Sequence, residues 1–341
     1  MGVKRRYNKM TPRERVRKAV LFQGPDRVPW ALPEKYGDDF TYGGCDPDPG
    51  WKPKFQSDTK WEDEWGCVWE KPPGDKTMGQ VRYSPLDDYS KLATYRFPDY
   101  ENRKRYESLK RVIGENKEEK FFLSGIPMSL IHRLEYLRGH EAGWTDPYLH
   151  PEEMDKLLDR ICDINIMVID RFAELGVDGV MSCDDWGLQD RLMVKPELWH
   201  QLWKPKYKKV YSFAKSKGIL TFLHSCGYII DILGGLIEAD LNVIQMDQQE
   251  NMGIDRLSSL YGGKLCFWCP VDIQQTMVKG TVEDVRRYAK KLIDSFGRFN
   301  GGYIAKWYPS PDGPGHTWDK IDAMCETFVE YGSTFYKPPV R

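Results

Sequence analysis

The stretch Leu220-Thr221-Phe222-Leu223-His224-Ser225-Cys226-Gly227 decides the fold. A short apolar run ends in His-x-Cys-Gly, and an amphipathic helical pattern begins directly after it. Side chains two residues apart on a strand point to the same face, so His224 and Cys226 are predicted to project together from a strand end. Imidazole and thiolate are ligands that zinc prefers, so the pair is a candidate metal site. The alternative is a buried histidine beside a cysteine that packs as a small apolar side chain.

The same unit, a short apolar strand followed by a helical pattern, recurs along the chain. Strands are predicted at residues 26–32, 63–70, 121–125, 176–182, 219–223, 242–245, 265–268 and 302–305. Such alternation is typical of an α/β protein with a parallel sheet and right-handed crossovers. Because about eight strands are counted and no G-x-G-x-x-G follows the first, we expect a closed (β/α)₈ TIM barrel rather than an open doubly wound sheet.

The N-terminal third decorates this barrel. Thr11-Pro12-Arg13-Glu14 has the pattern of a capping box and predicts a helix over 11–23. Residues 33–60 are rich in Gly, Pro and Asp and are predicted to form a long ordered loop, whereas 79–83 is predicted to belong to a hairpin. We therefore expect one barrel domain over 1–341, with an insertion at about 33–115.

The composition of the chain indicates which kinds of partner and which cellular compartment to expect. A net charge of −1 gives no polyanion-binding surface, so no nucleic acid is expected. The sequence has neither an apolar run of about 20 residues nor a signal peptide, so no membrane contact and a cytoplasmic location are expected. In that compartment the 8 cysteines are predicted to be thiols or ligands rather than disulfides. A homodimer is left open.

Polar residues follow directly after several of the predicted strands, at the barrel end where active sites lie. For the third zinc ligand Cys269 is the first candidate, with Cys183, Asp247 and His316 as rivals. Four other cysteines are interpreted as structural, namely Cys45, Cys67, Cys162 and Cys325. Cys266 lies inside its strand and is interpreted as core.

The remaining strand-end residues are assigned to catalysis or substrate binding. Catalytic roles are predicted for Asp185, Asp247 and Lys306. Substrate contacts are predicted for Asp184, Gln189, Gln245 and Trp307. For the two adjacent aspartates, general acid/base chemistry, substrate anchoring and support of His224 are all open. Lys306 is compatible with neutralising an anionic substrate group or with an ordinary ion pair.

Several of these segments resemble the uroporphyrinogen decarboxylase-like superfamily. The similar segments are Thr11–Val16, Pro25–Pro29, Asp184–Gln189, His224–Gly227, Phe267–Gln274 and Gly301–Ile304. The resemblance covers nearly the whole chain and implies a (β/α)₈ barrel. One branch of the superfamily decarboxylates porphyrinogens without a cofactor and carries R-Q-A-G-R after the first strand. This chain has Trp30-Ala31-Leu32-Pro33-Glu34-Lys35 there, so porphyrinogen decarboxylation is not expected.

The other branch consists of corrinoid-dependent methyltransferases, which bind zinc through a His-x-Cys pair and a later cysteine. The resemblance implies that His224 and Cys226 are the first two ligands and that a separate corrinoid-binding protein is the partner. The later cysteine usually follows the last strand, where this chain reads Ala305-Lys306-Trp307-Tyr308-Pro309-Ser310-Pro311. We therefore expect a zinc enzyme that takes a methyl group from a methoxylated aromatic or related small-molecule donor. The alternatives are a metal-free decarboxylase that uses Asp185 and Lys306, and a non-catalytic component of a corrinoid system.

Overall fold

Eight parallel strands form the centre of the molecule. The computed structural model describes residues 10–127 and 129–337. In chain order its strands are β1 (Trp30–Ala31), β2 (Phe40–Gly43), β3 (Lys60–Glu62), β4 (Val68–Glu70), β5 (Gln80–Tyr83), β6 (Phe121–Gly125), β7 (Gly179–Cys183), β8 (Leu220–His224), β9 (Val243–Gln245), β10 (Cys266–Cys269) and β11 (Tyr303–Lys306). The large sheet has the order β1-β11-β10-β9-β8-β7-β6-β2, which confirms the predicted (β/α)₈ TIM barrel.

Helices cover the outside of this sheet and also close its lower end. They are α1 (Pro12–Val20), α2 (Glu107–Glu115), α3 (Leu130–Arg138), α4 (His140–Leu149), α5 (Pro151–Leu175), α6 (Pro196–Leu202), α7 (Lys204–Ser216), α8 (Ile230–Glu238), α9 (Ile254–Tyr261), α10 (Thr276–Lys279), α11 (Val282–Phe296) and α12 (Trp318–Gly332). The predicted capping box of α1 is confirmed, because the Thr11 hydroxyl accepts from the Glu14 N–H while Glu14 accepts from the Thr11 N–H.

The seam between β1 and β2 is closed by few backbone bonds. The Asp39 N–H donates to the Trp30 carbonyl at 2.9 Å, and Ala31 and Asp38 form an isolated bridge. Side chains complete the closure, since the buried Asp39 carboxylate accepts from Arg15 at 2.9 Å, from Arg27 at 2.8 and 2.9 Å, and from the Trp30 N–H at 2.9 Å. A charged network therefore holds α1, β1 and β2 together.

Two sequence predictions in the N-terminal third are wrong. Residues 33–60 are not only a loop, because they contain the barrel strand β2, which pairs with β6. The strand predicted at 63–70 is not a barrel strand, because β4 lies between β3 and β5 in a separate antiparallel sheet. Alternation along a strand marks a buried face but does not tell which sheet buries it. The hairpin predicted at 79–83 is present as β5.

Alternate residues of the barrel strands face two different hydrophobic clusters. The barrel interior is filled by Ala31, Phe40, Phe121, Leu123, Leu220, Phe222, Val243, Cys266, Trp268 and Ile304, with Val16 and Val20 of α1 below them. Their neighbours along each strand, such as Leu223, Ile244 and Phe267, pack against the surrounding helices instead. This alternation fixes which strand-end side chains enter the barrel mouth.

The described residues contain no helix that is both long and apolar enough to cross a bilayer. Residues 1–9, for which the sequence predicts no signal peptide, lie outside the described part of the chain.

Candidate active site

Polar side chains from four strands enter the barrel mouth at its carboxyl end. Cys183, His224, Gln245 and Lys306 each follow, two residues later, an interior residue of the same strand. By alternation they share the inward face with those residues. Cys183 and His224 are direct partners in the β7–β8 pairing, and His224 and Gln245 are partners in the β8–β9 pairing. The barrel thus brings a thiol, an imidazole and an amide side by side.

A chain of hydrogen bonds orients the His224 ring. The ammonium of Lys306 donates to Asp247 Oδ1 at 2.7 Å, and the amide of Gln245 donates to the same oxygen at 3.0 Å. The amide oxygen of Gln245 then faces His224 Nδ1 and bonds to it. A carbonyl oxygen only accepts, so Nδ1 carries the proton and Nε2 keeps its lone pair. This is the tautomer in which a histidine binds a metal through Nε2.

Three further donor atoms lie near the His224 ring. Cys226 Sγ is 3.2 Å from His224 Nε2, and Asp185 Oδ1 is 3.4 Å from it. A second group is formed by Cys183, Asp185 and His224, whose donor atoms all lie within 4.8 Å of one another. Sulfur, nitrogen and carboxylate oxygen in one small volume form a donor set suited to a borderline-soft divalent cation such as zinc.

The loops that carry Asp185 and Cys226 are locked together by their backbones. The Gly187 N–H donates to the Cys226 carbonyl at 3.1 Å, and the Cys226 N–H donates to Asp185 Oδ1 at 2.8 Å. A Cβ on Gly187 would lie 2.4 Å from the Tyr228 nitrogen, and one on Gly227 would lie 2.1 Å from the Gly187 oxygen. Only glycine allows this approach, so both glycines fix the spacing of the two ligand loops.

The charge state of the Cys226 thiol depends on what lies beside it. Burial raises the pKa of Cys226, and the neighbouring carboxylate of Asp185 raises it further. Without a cation the thiol stays protonated at neutral pH. A bound metal would favour the thiolate and release the proton, so the site couples metal binding to proton loss.

Two of the candidates for the third metal ligand are placed elsewhere. Cys269 follows Phe267 on the outward face of β10, where its side chain packs in the cluster between sheet and helices. The structure does not bring it into the group formed by Cys183, Asp185 and His224. His316 bonds through Nε2 to the Ile273 carbonyl at 2.8 Å.

Two of the predicted substrate contacts have partners within the protein. The buried Asp184 carboxylate accepts from the N–H groups of Leu130 and Ile131 at 2.8 and 3.0 Å and from the Tyr207 hydroxyl at 2.6 Å. It therefore caps the N-terminus of α3, out of reach of the mouth. Burial raises the pKa of Asp184, and these hydrogen bonds act against that shift. Gln245 is occupied by His224 and Asp247.

Two other predicted substrate residues lie nearer the surface. Gln189 is exposed and accepts from Asn251 at 3.0 Å. Trp307 is half-buried, with its ring 6.2 Å from the ring of Trp318.

His132 is a site residue that the sequence analysis missed. It lies in the first turn of α3, and its Nε2 is 3.9 Å from Asp185 Oδ2 and 3.4 Å from the Asp185 nitrogen. Its ring stacks on Tyr136 with centroids 6.0 Å apart. Its position soon after a predicted barrel strand was the available signal, since such loops build barrel active sites.

These features define a (β/α)₈ barrel protein with a histidine, cysteine and aspartate centre at the carboxyl ends of its strands. The family model for uroporphyrinogen decarboxylase (URO-D) matches residues 74–311, more than half of the chain. The chain therefore belongs to the URO-D family, which confirms the resemblance noted in its sequence.

Solved structures provide a second comparison. A methyltransferase from Methanosarcina mazei is similar over 94% of this chain and 99% of its own, with a TM-score of 0.67 and 15% identity. An L-ribulose 3-epimerase aligns with 75% of this chain and 92% of its own, with 12% identity and a TM-score of 0.43. A D-psicose 3-epimerase reaches a TM-score of 0.41 at 12% identity, over 72% of this chain and 86% of its own. The search of curated protein sequences gave no match.

Proposed function

We propose that this protein is a zinc-dependent methyltransferase that moves a methyl group from a methoxylated aromatic or related donor to cob(I)alamin on a partner corrinoid protein. One observation carries the proposal: the lone pair of His224 Nε2 points into a group with Cys226 Sγ at 3.2 Å and Asp185 Oδ1 at 3.4 Å. Membership of the URO-D family and similarity to a structure named as a methyltransferase support it.

The donor atoms have separations that suit zinc. Bond lengths of about 2.0 Å to nitrogen, 2.3 Å to sulfur and 2.1 Å to oxygen at tetrahedral angles give about 3.5 Å for N···S and about 3.4 Å for N···O. The observed separations are 3.2 Å and 3.4 Å. When bound, zinc would supply a Lewis acid for the methoxy oxygen. Asp185, with 37% of its side chain exposed, is the carboxylate best placed to orient a substrate or handle the proton of the leaving phenolate.

Lys306 and Asp247 form an ion pair that contacts His224 through Gln245. Their ion pair has side chains only 11% and 8% exposed, and Asp247 also accepts from Gln245. The ammonium is therefore already committed to a carboxylate within the protein. That commitment favours a positioning role over neutralisation of an anionic substrate, which a metal-free decarboxylase would require.

Metal analysis of protein purified without an affinity tag tests the proposal. We expect about one zinc per chain, and methylation of cob(I)alamin in the presence of methoxyarenes and the corrinoid protein. His224→Ala should abolish both, whereas Cys325→Ser, at a buried cysteine of α12, should change neither. Absence of zinc together with unchanged behaviour of His224→Ala would refute the proposal. Release of carbon dioxide without a corrinoid protein, or tight corrinoid-protein binding without methyl transfer, would support the alternatives.

A further inference from the structure

We infer that Cys183 is the third metal-binding side chain, so that the centre is built from the ends of β7 and β8 alone. The inference rests on the proposed zinc site, and it selects Cys183, a rival candidate in the sequence, in place of the first candidate Cys269. It replaces a thiolate on β10, two strands from His224, with one from the adjacent strand β7.

The strand pairing places Cys183 beside His224. Cys183 is the residue directly opposite His224 in the parallel pairing of β7 with β8. Both side chains lie on the inward face, because Met181 and Phe222, two residues earlier, pack in the barrel interior. The Asp184 N–H donates to the His224 carbonyl at 2.9 Å and fixes this register at the strand ends. The Cys183, Asp185 and His224 donor atoms consequently lie within 4.8 Å of one another.

The segment after the last strand, residues 307–311, has no cysteine, and the residue before it is held in an ion pair. Lys306 occupies the inward position at the end of β11, and its ammonium donates to Asp247 at 2.7 Å. Cys269 lies on the outward face of its strand, and its side chain is fully buried. Neither position offers a donor to His224 without a change in strand register, whereas Cys183 is exposed toward the mouth.

Asp185 completes the set as an exchangeable fourth donor. Its Oδ1 is held at 2.8 Å by the Cys226 N–H, and His132 lies 3.9 Å from its Oδ2. A catalytic zinc site keeps three protein ligands and one open position. Cys183, His224 and Cys226 would then hold the metal, and Asp185 would be the donor that a substrate oxygen could displace.

The test compares two cysteine variants in protein from which the metal has been removed. We expect Cys183→Ser to weaken zinc binding by more than about 100-fold, whereas Cys269→Ser binds zinc like the wild type. In cobalt-substituted protein, the thiolate-to-cobalt absorption should fall by about half in Cys183→Ser, since one of two thiolates is lost. Circular dichroism checks that both variants are folded.

Alkylation of the wild-type protein provides a measurement that needs no variant. Zinc should slow the alkylation of Cys183 by iodoacetamide, as read by peptide mass mapping, relative to the metal-free protein at the same alkaline pH, since burial and Asp185 raise the pKa of the free thiol. Zinc binding that survives in Cys183→Ser and is lost in Cys269→Ser would overturn the inference and leave the proposed function intact. A wild-type protein that binds neither zinc nor cobalt would instead remove the proposed function itself.

Discussion

The His224 ring is held in place by side chains of two other strands and the loop after β9. The hydrogen bonds converge on Asp247: Lys306 donates to it directly, while His224 Nδ1–H donates to the Gln245 amide oxygen and the Gln245 amide N–H donates to Asp247. These bonds leave one arrangement of protons, because the ammonium only donates and the carboxylate only accepts. Since Nδ1–H is engaged, Nε2 is presented to the mouth before any metal arrives. Such outer partners typically contribute 10–100-fold to metal affinity.

Replacement of Gln245 tests this support. Gln245→Leu removes the acceptor of His224 Nδ1–H while leaving every proposed ligand in place, so zinc affinity should fall about 10–100-fold with a normal fold. Competition with a fluorescent chelator measures the affinity. Gln189→Leu, at an exposed amide bonded to Asn251, is the matched control and should bind zinc normally. Wild-type affinity in Gln245→Leu would show that the hydrogen bond does not orient the ring.

Substitution by Asn should lower stability at Asp184 but change metal and substrate binding at the adjacent Asp185. Asp184→Asn weakens the cap of α3 and should lower the free energy of unfolding by about 2–3 kcal/mol, because N–H groups of a buried helix end lose a charged acceptor. Asp185→Asn should have a free energy of unfolding within about 0.5 kcal/mol of the wild type. Its effect should be on metal and substrate binding instead. Urea denaturation measures the first effect. Equal stability of both variants would contradict the capping role.

The choice between Cys269 and Cys183 shows the limit of the sequence at this scale. The motif His224-Ser225-Cys226 was recognisable because its spacing alone puts both side chains on one face. For a lone cysteine the face depends on the register of its strand, and a register shift of one residue reverses it. The observed β10 runs Cys266–Cys269, with Trp268 inward and Cys269 outward. The run from Leu265 to Cys269 is apolar throughout, so its sequence shows no alternation that tells the two faces apart.

Among the secondary-structure elements, the weakest pairing in the barrel lies between β1 and β2. The ion network around Asp39 joins Arg15 of α1 to Arg27 before β1, and the Arg27 guanidinium lies 3.3 Å from the Trp30 ring centroid. These arginines lie in two of the segments that carry the family resemblance, 11–16 and 25–29. The role of those two segments is therefore to close the barrel rather than to take part in catalysis.

Removal of the shared carboxylate should open that seam. Asp39→Asn leaves Arg15 and Arg27 with less compensating charge in a buried site, so the free energy of unfolding should fall by about 3 kcal/mol or more. Guanidinium denaturation followed by circular dichroism measures it. Asp312→Asn breaks an ion pair with Lys76 that is open to solvent and should leave the unfolding midpoint unchanged. Equal midpoints for both variants would show that the network does not close the barrel.

The element predictions succeeded where strand and helix alternate and failed where they do not. From Phe121 onward each strand is followed by a helix, and the predicted strands coincide closely with β6 to β11. β2 has only four residues, Phe40–Gly43, within a segment rich in glycine and aspartate. Its pairing with β6 joins residues about 80 positions apart, which no local pattern records. Topology rather than propensity made it a barrel strand.

The hydrophobic core of the molecule does not include the proposed metal centre. One hydrophobic cluster fills the barrel and a second separates the sheet from its helices, and both are complete without the strand-end ligands. The proposed ligands lie at the ends of only two strands and in the loops after them. Metal binding should therefore add stability to a folded chain rather than create the fold, unlike in small zinc domains.

Removal of the metal tests this separation of fold and site. The chelated protein should keep its far-UV circular dichroism, while its melting temperature falls by about 2–5 °C, because ligand at 100 times its Kd contributes about 2.7 kcal/mol. Added zinc should restore the wild-type value, and Cys183→Ser should gain little from it. The shift should grow with the logarithm of free zinc concentration, as binding only to the folded state requires. Loss of the helical signal on chelation would contradict this independence, since it would mean that the ends of β7 and β8 hold the barrel together.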